Sequence, residues 1–189
     1  MKITICGIAE LGQHCAAGVT HVLSILDPGW PDPEAFGDFP AHRRVAVRFH
    51  DVIAATPGAT VPTAADVATV LTYGREVMAA GRDTHLLIHC HAGVSRSTAS
   101  AALLLAQADP ARPVEAIFAE IGRLRPRAWP NLLLLEHGET ALGRHGEIVP
   151  AVAAQYRRVL TADPQFGAFI VDTGRGREVE LAGLVEGGP

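Results

Sequence analysis

A chain of 189 residues, with 48% hydrophobic and 19% charged side chains, is long enough for one ordinary domain and too apolar to remain disordered. Its formal net charge of −4 excludes a global positive field of the kind that gathers nucleic acid or an anionic membrane, so any anion must be caught locally. Three cysteines without close pairing argue against a disulfide framework and fit a reducing compartment.

The first element, "KITICGI", is a β-branched run that reads as a strand, without the basic start and cleavage site of a signal peptide. A helical stretch over about 9–17 leads to a second buried strand, "THVLSIL" (20–26), halted by the turn residues Asp27-Pro28-Gly29. "RRVAVRFH" (43–50) is a third strand, and "DVIAATPGATVPT" (51–63) reads as a linker-like loop. Thr63 then caps a helix over 63–81, and "THLLIHC" (84–90) is a fourth strand.

After Arg96 the pattern changes to helices alone: "SRSTASAALLLAQA" ends at Asp109-Pro110, and "PVEAIFAEIGRLR", "NLLLLEHGETALG" and "IVPAVAAQYRRVL" follow. Strand-helix alternation giving way to helices predicts an α/β fold with a mainly parallel central sheet of four to five strands flanked by helices. Residues 1–162 form the predicted domain. Residues 163–189, with six glycines and few apolar residues after Val171, read as a flexible C-terminal extension. No apolar run approaches the roughly 20 residues that span a bilayer, so a soluble, cytoplasmic protein is expected.

The chemistry concentrates in His89-Cys90-His91-Ala92-Gly93-Val94-Ser95-Arg96-Ser97. The apolar run delivers Cys90 to the carboxyl end of a buried strand, and the following turn leads into a helix. A turn of this kind directs successive backbone N–H groups inward in front of a helix N-terminus, which makes an anion cradle. Gly93 supplies a conformation or a close approach that a side chain forbids. Arg96 adds a planar fork of donors that matches two oxygens of a phosphate. The nucleophilic thiolate of cysteine is favoured at helix N-termini and beside cations, so the arrangement aims a nucleophile at phosphorus. A metal site at His89, Cys90 and His91 fails on geometry, because consecutive strand residues point to opposite faces. No metal and no cofactor are expected. An inert buried thiol would account for Ser95 and Ser97 as helix caps but not for Gly93 and Arg96.

"HCHAGVSRS" resembles the H-C-x5-R-S/T signature of the cysteine-dependent protein tyrosine phosphatases, and more narrowly their dual-specificity branch. "AGVTHVLSILDP" (17–28) and "RPRAWPNLLLLEHGETAL" (125–142) resemble flanking segments of that branch, so the similarity covers roughly residues 1–143. The resemblance implies a dual-specificity phosphatase-like fold and a two-step, metal-free reaction. Cys90 would carry a phosphocysteine intermediate, and Arg96 with the backbone of His91, Ala92, Gly93, Val94 and Ser95 would hold the phosphoryl oxygens. Ser97 would help the thiolate leave, and His89 would hydrogen-bond the loop and tune the thiol. Asn131 matches a Pro-Asn position and serves equally as the N-cap of the helix that it opens.

The same resemblance implies an aspartate that protonates the leaving group and later activates water. Asp51 follows a strand directly, where open α/β sheets place their ligand crevice, and is preferred. Asp66 is the alternative, although a carboxylate in the first turn of a helix already has a structural reason. Asp32 and Asp38 are further candidates. Arg125 and Arg127 either read negative charge beside the phosphate or are ordinary exposed arginines, and Cys6 and Cys15 are either redox partners of Cys90 or buried inert thiols. No lysine lies between Cys90 and Arg96, which disfavours phosphoinositides. The expected substrate is therefore a phosphorylated protein or a small phosphomonoester, with no nucleic-acid or membrane partner. The alternative is a pseudophosphatase module that binds phosphorylated partners without turnover.

Overall fold

The computed structural model describes residues 2–183. Four strands, β1 (Lys2–Gly7), β2 (His21–Leu26), β3 (Arg43–Arg48) and β4 (His85–Cys90), form one sheet in the order β1-β4-β2-β3. Every pairing is parallel, with Gly7 opposite Cys90 and Ser24 opposite His89. The expected mainly parallel sheet of four to five strands is thus a wholly parallel sheet of four.

All six residues of β4 are buried, as its central place and unbroken apolar run require. Five helices follow the expected order, α1 (Ala64–Ala79), α2 (Arg96–Ala108), α3 (Val114–Leu124), α4 (Leu132–Leu142) and α5 (Ile148–Ala162), and two more among the described residues, α6 (Gln165–Asp172) and α7 (Gly176–Leu181), come after them. α2 is buried from Arg96 to Ala106, and its alanines and serines let neighbouring helices close around it. One face of the sheet carries the main core, built with these helices. The other carries a thinner cluster of Cys6, Leu11, Val19, Val22, Phe39 and Leu87, with 3-10 helices at Ile8–His14 and Glu34–Asp38. The stretch expected to be helical over 9–17 is the first of these.

Residues 163–183 differ from the expected flexible extension. They form α6 and α7, with Ile170, Val179 and Ala182 in the main core and Arg175 and Glu178 buried. The apolar residues that dock them are few but correctly spaced, and Gly167 lets α6 approach Leu160 of α5, where a Cβ would lie 3.2 Å from Leu160 Cδ2. The last part of that extension, 184–189, lies outside the described residues.

Parallel strands all end on the same edge of the sheet. Gly7, Asp27, Phe49 to Asp51 and Cys90 are therefore delivered to one rim, the place where open α/β sheets bind their ligands.

Candidate active site

Residues 91–95 turn the chain from β4 into α2, and two glycines allow the turn. Gly93 has φ +69°, and a Cβ there would lie 2.5 Å from the carbonyl carbon of Cys6 and 2.6 Å from the Gly7 nitrogen. A Cβ on Gly7 would lie 2.9 Å from the His91 carbonyl oxygen, which accepts from the Ile8 amide at 3.0 Å. The loop is thus pressed onto the end of β1, and only glycine fits at the contact.

The loop carbonyls are held from outside. Arg125 donates through Nε to Gly93 O (3.1 Å) and through Nη2 to Ala92 O (3.2 Å), while its Nη1 pairs with Glu10 at 2.9 Å. Glu10 in turn accepts from the Gly7 amide at 2.6 Å. The Trp129 amide donates to Val94 O at 2.9 Å. The expectation that Arg125 reads charge beside a phosphate is corrected: its donors are spent on the loop backbone and on Glu10. With the carbonyls secured, the amides of Ala92 to Ser95 donate to no acceptor among the described residues.

Cys90 is buried at the base of this loop, and its Sγ lies 3.2 Å from Ser97 Oγ in the first turn of α2. Arg96 is 3% exposed. Its Nη1 donates both to Asp27 Oδ1 and to Phe49 O, each at 2.6 Å. Its Nε is buried without a partner among the described residues, so the Nε–Nη2 edge of the guanidinium remains for a ligand.

His89 and His91 separate as strand alternation demands. His89 is fully buried on the face of the thinner cluster, with Nε2 2.7 Å from Ser24 Oγ. Nε2 therefore bonds to β2, and Nδ1 meets no partner within hydrogen-bonding geometry among the described residues. Burial pushes its pKa down to about 4. His91 stands at the rim, accepting from the Asp27 amide at 3.3 Å and set edge-on to Trp30 at 4.4 Å between ring centroids.

Asp51 reaches the same pocket. Its Oδ1 accepts from Ser95 Oγ (2.7 Å) and Asn131 Nδ2 (2.9 Å), and its Oδ2 pairs with Arg175 Nη1 (3.1 Å). Ser95 therefore makes no side-chain cap on α2. Asn131 combines both readings of its position: Oδ1 caps α4 by accepting from Leu134 N at 3.1 Å, while Nδ2 holds Asp51. Asp66 is used in a capping box with Thr63, which donates its amide to Asp66 Oδ2 at 2.8 Å. Asp32 pairs with Arg44 and Arg48. Neither Asp66, Asp32 nor Asp38 lines the pocket.

The pocket encloses about 310 Å³. It is lined by Asp51, Cys90 and the loop, by the apolar side chains of Trp129, Phe166, Phe169 and Ile170, and by Arg127 and Arg175. Arg127 lies over the Phe166 ring at 5.1 Å and pairs with Asp163 at 3.1 Å. Three contributors escaped the sequence reading. Asp27 was visible only as a turn residue, and Arg175 and the α6 aromatics lay inside the glycine-rich extension. Cys6 belongs to the opposite sheet face from Cys90, and burial pushes its thiol up to about 12, away from the thiolate form.

No protein-family model matches this chain, and no curated protein does. Solved structures do match. Human DUSP28 shares 20% identity with a TM-score of 0.55, over 75% of this chain and 94% of that one. Tk-PTP in its active form shares 17% at a TM-score of 0.54, over 76% of this chain and 93% of that one. The human tyrosine phosphatase-like serine/threonine/tyrosine-interacting protein shares 17% at 0.54, over 74% and 87%. The four-stranded parallel sheet with its flanking helices is thus the fold of the dual-specificity phosphatases.

Proposed function

We propose that this chain is a cysteine-dependent phosphomonoester hydrolase of the dual-specificity and protein tyrosine phosphatase type, acting in the cytoplasm on a phosphorylated protein or a small phosphomonoester. The observation that carries this reading is the set of donors of the Cys90 loop that have no partner among the described residues: the buried Nε of Arg96 and the amides of Ala92 to Ser95. A dianionic phosphoryl group supplies the acceptors that these donors lack.

In this reading the Cys90 thiolate attacks phosphorus, the bond to the ester oxygen breaks, and the Asp51 carboxyl group, which must carry a proton at this step, donates it to the departing oxygen. Water then attacks the phosphocysteine, Asp51 takes its proton, and the Cys90 sulfur leaves as a thiolate that accepts from Ser97 Oγ. Inorganic phosphate departs. Arg96 and the loop amides hold the phosphoryl oxygens through both steps. The apolar side chains of Trp129 and Phe166 support an aromatic ester as one substrate.

A second reading, a phosphate-binding module without turnover, draws on the ion pairs that already engage Arg96 and Asp51 in the free protein. One experiment separates them: hydrolysis of p-nitrophenyl phosphate in the presence of a chelator, by the wild type and by Cys90→Ser. Turnover by the wild type alone is expected. Activity that survives Cys90→Ser overturns the mechanism, and phosphate binding with no turnover by the wild type establishes the module instead.

A further inference from the structure

Asp51 is held by donors from three separate parts of the chain, and the third of these is Arg175, 124 residues away in sequence. Arg175 has no freedom of its own. Its Nε and Nη2 fork onto Glu178 at 2.9 and 2.8 Å, which leaves Nη1 to point at Asp51 Oδ2. Glu178 is fully buried and anchored in turn by Trp129 Nε1 at 2.5 Å and the Leu132 amide at 2.9 Å. Both anchors lie on the segment that also holds the loop, since Trp129 N donates to Val94 O.

An ion pair of this kind is an expensive way to dock a short helix. Taking two charges out of water costs several kcal/mol per ion, and well-packed apolar residues usually serve stability as well or better. What the pair supplies that apolar residues cannot is direction. With Ser95 and Asn131 on Oδ1 and Arg175 on Oδ2, both the position and the plane of the carboxyl group are set.

We propose that Arg175 is a positioning residue: with Glu178 it aims the Asp51 carboxyl group at the ester oxygen above Cys90, so α7 belongs to the reacting site. The proposal rests on the phosphatase reading above. A mis-aimed carboxyl group still exists but transfers its proton poorly. That matters most for an ester whose leaving oxygen is strongly basic, and least for one that departs readily as an anion.

The test compares p-nitrophenyl phosphate with phenyl phosphate, whose leaving group is more basic, using the full chain as wild type, Arg175→Gln, Arg175→Lys, Asp51→Asn and the Arg175→Gln/Asp51→Asn double variant. Arg175→Gln is expected to lower kcat about 3-fold on the first ester and about 50-fold on the second, with KM within about twofold, as misplacement of a reacting group does. Arg175→Lys should recover part of the loss on phenyl phosphate. In the Asp51→Asn background, Arg175→Gln should add almost nothing. Equal losses on both esters, or a full effect of Arg175→Gln without Asp51, overturn the proposal and leave Arg175 a structural ion pair. If Arg175→Gln does not fold, Arg175→Gln/Glu178→Gln removes both buried charges together, and the same ratio of losses decides. A wild type that turns over neither ester refutes the phosphatase reading itself, a result distinct from either outcome for Arg175.

Discussion

Asp27 Oδ1 lies 2.6 Å from Arg96 Nη1, the guanidinium nitrogen outside the Nε–Nη2 edge. The side chain of Arg96 is 4% exposed and that of Asp27 is 31% exposed, so a buried cation meets a carboxylate that keeps some water. Asp27 is therefore the resting counter-charge of Arg96, and it orients the guanidinium while leaving the ligand edge open.

Asp27→Asn should accordingly destabilise the protein in phosphate-free buffer by about 1–3 kcal/mol, between the cost of breaking an exposed pair and that of breaking a buried one, because Asp27 is partly solvated. Inorganic phosphate should then raise the melting temperature of the variant by more than it raises that of the wild type, since the added anion replaces the missing charge. Thermal melts of both proteins with and without phosphate measure this. Equal phosphate shifts would show that Asp27 does not balance Arg96.

The two aspartates that the sequence left as alternatives have separable fates. Asp51→Asn should lower kcat on phenyl phosphate by about 10²–10⁴, the usual range for loss of a general acid and base. Asp66→Asn should leave kcat near the wild-type value and cost about 1 kcal/mol of stability through its weakened capping box. Steady-state kinetics and urea melts on the same preparations decide between them, and the reverse pattern would move the proton-transfer role to Asp66.

His89 gives stability a pH dependence. Its pKa in the folded chain is lowered by burial to about 4, below the value near 6.5 of an unfolded histidine. Below pH 6.5 the unfolded chain binds a proton that the folded chain refuses, so this contribution is present above about pH 6.5 and is lost as pH falls towards 4. The full difference is on the order of 3 kcal/mol. His21, His85 and His91 are shifted the same way, burial being the largest cause for each, so the wild-type slope is a sum. Urea melts at pH 7 and pH 5 should show a smaller loss for His89→Asn than for the wild type, and an identical loss would mean that His89 is protonated in the folded chain.

The parts of the fold that the sequence made legible are those with local signatures. Each strand ran as a β-branched or apolar stretch, the second of them halted by Asp27-Pro28-Gly29, and the helices through Ala162 carried their period, with a stop at Asp109-Pro110 for α2. Cys90, Gly93 and Arg96 were legible because the constraints on them lie within a few residues of one another. Asp51 could be preferred over Asp66 because one followed a strand and the other opened a helix. Asp27 was hidden because the turn that it makes explains it fully until β2 is laid beside β4. Arg175 and Glu178 were hidden for a different reason. A buried ion pair has no period and needs partners at Asp51, Trp129 and Leu132 that only the tertiary fold brings near.

The span between Asp51 and Arg175 also has a meaning in time. A chain is synthesised at about 5–20 residues per second, so the roughly 85 residues that separate Cys90 from Arg175 take about 4–17 s to appear. Throughout that interval the nascent chain already carries the cysteine loop and Asp51 while the guanidinium that fixes the carboxyl group does not yet exist. The site is therefore completed last, together with the part of the core that α6 and α7 supply.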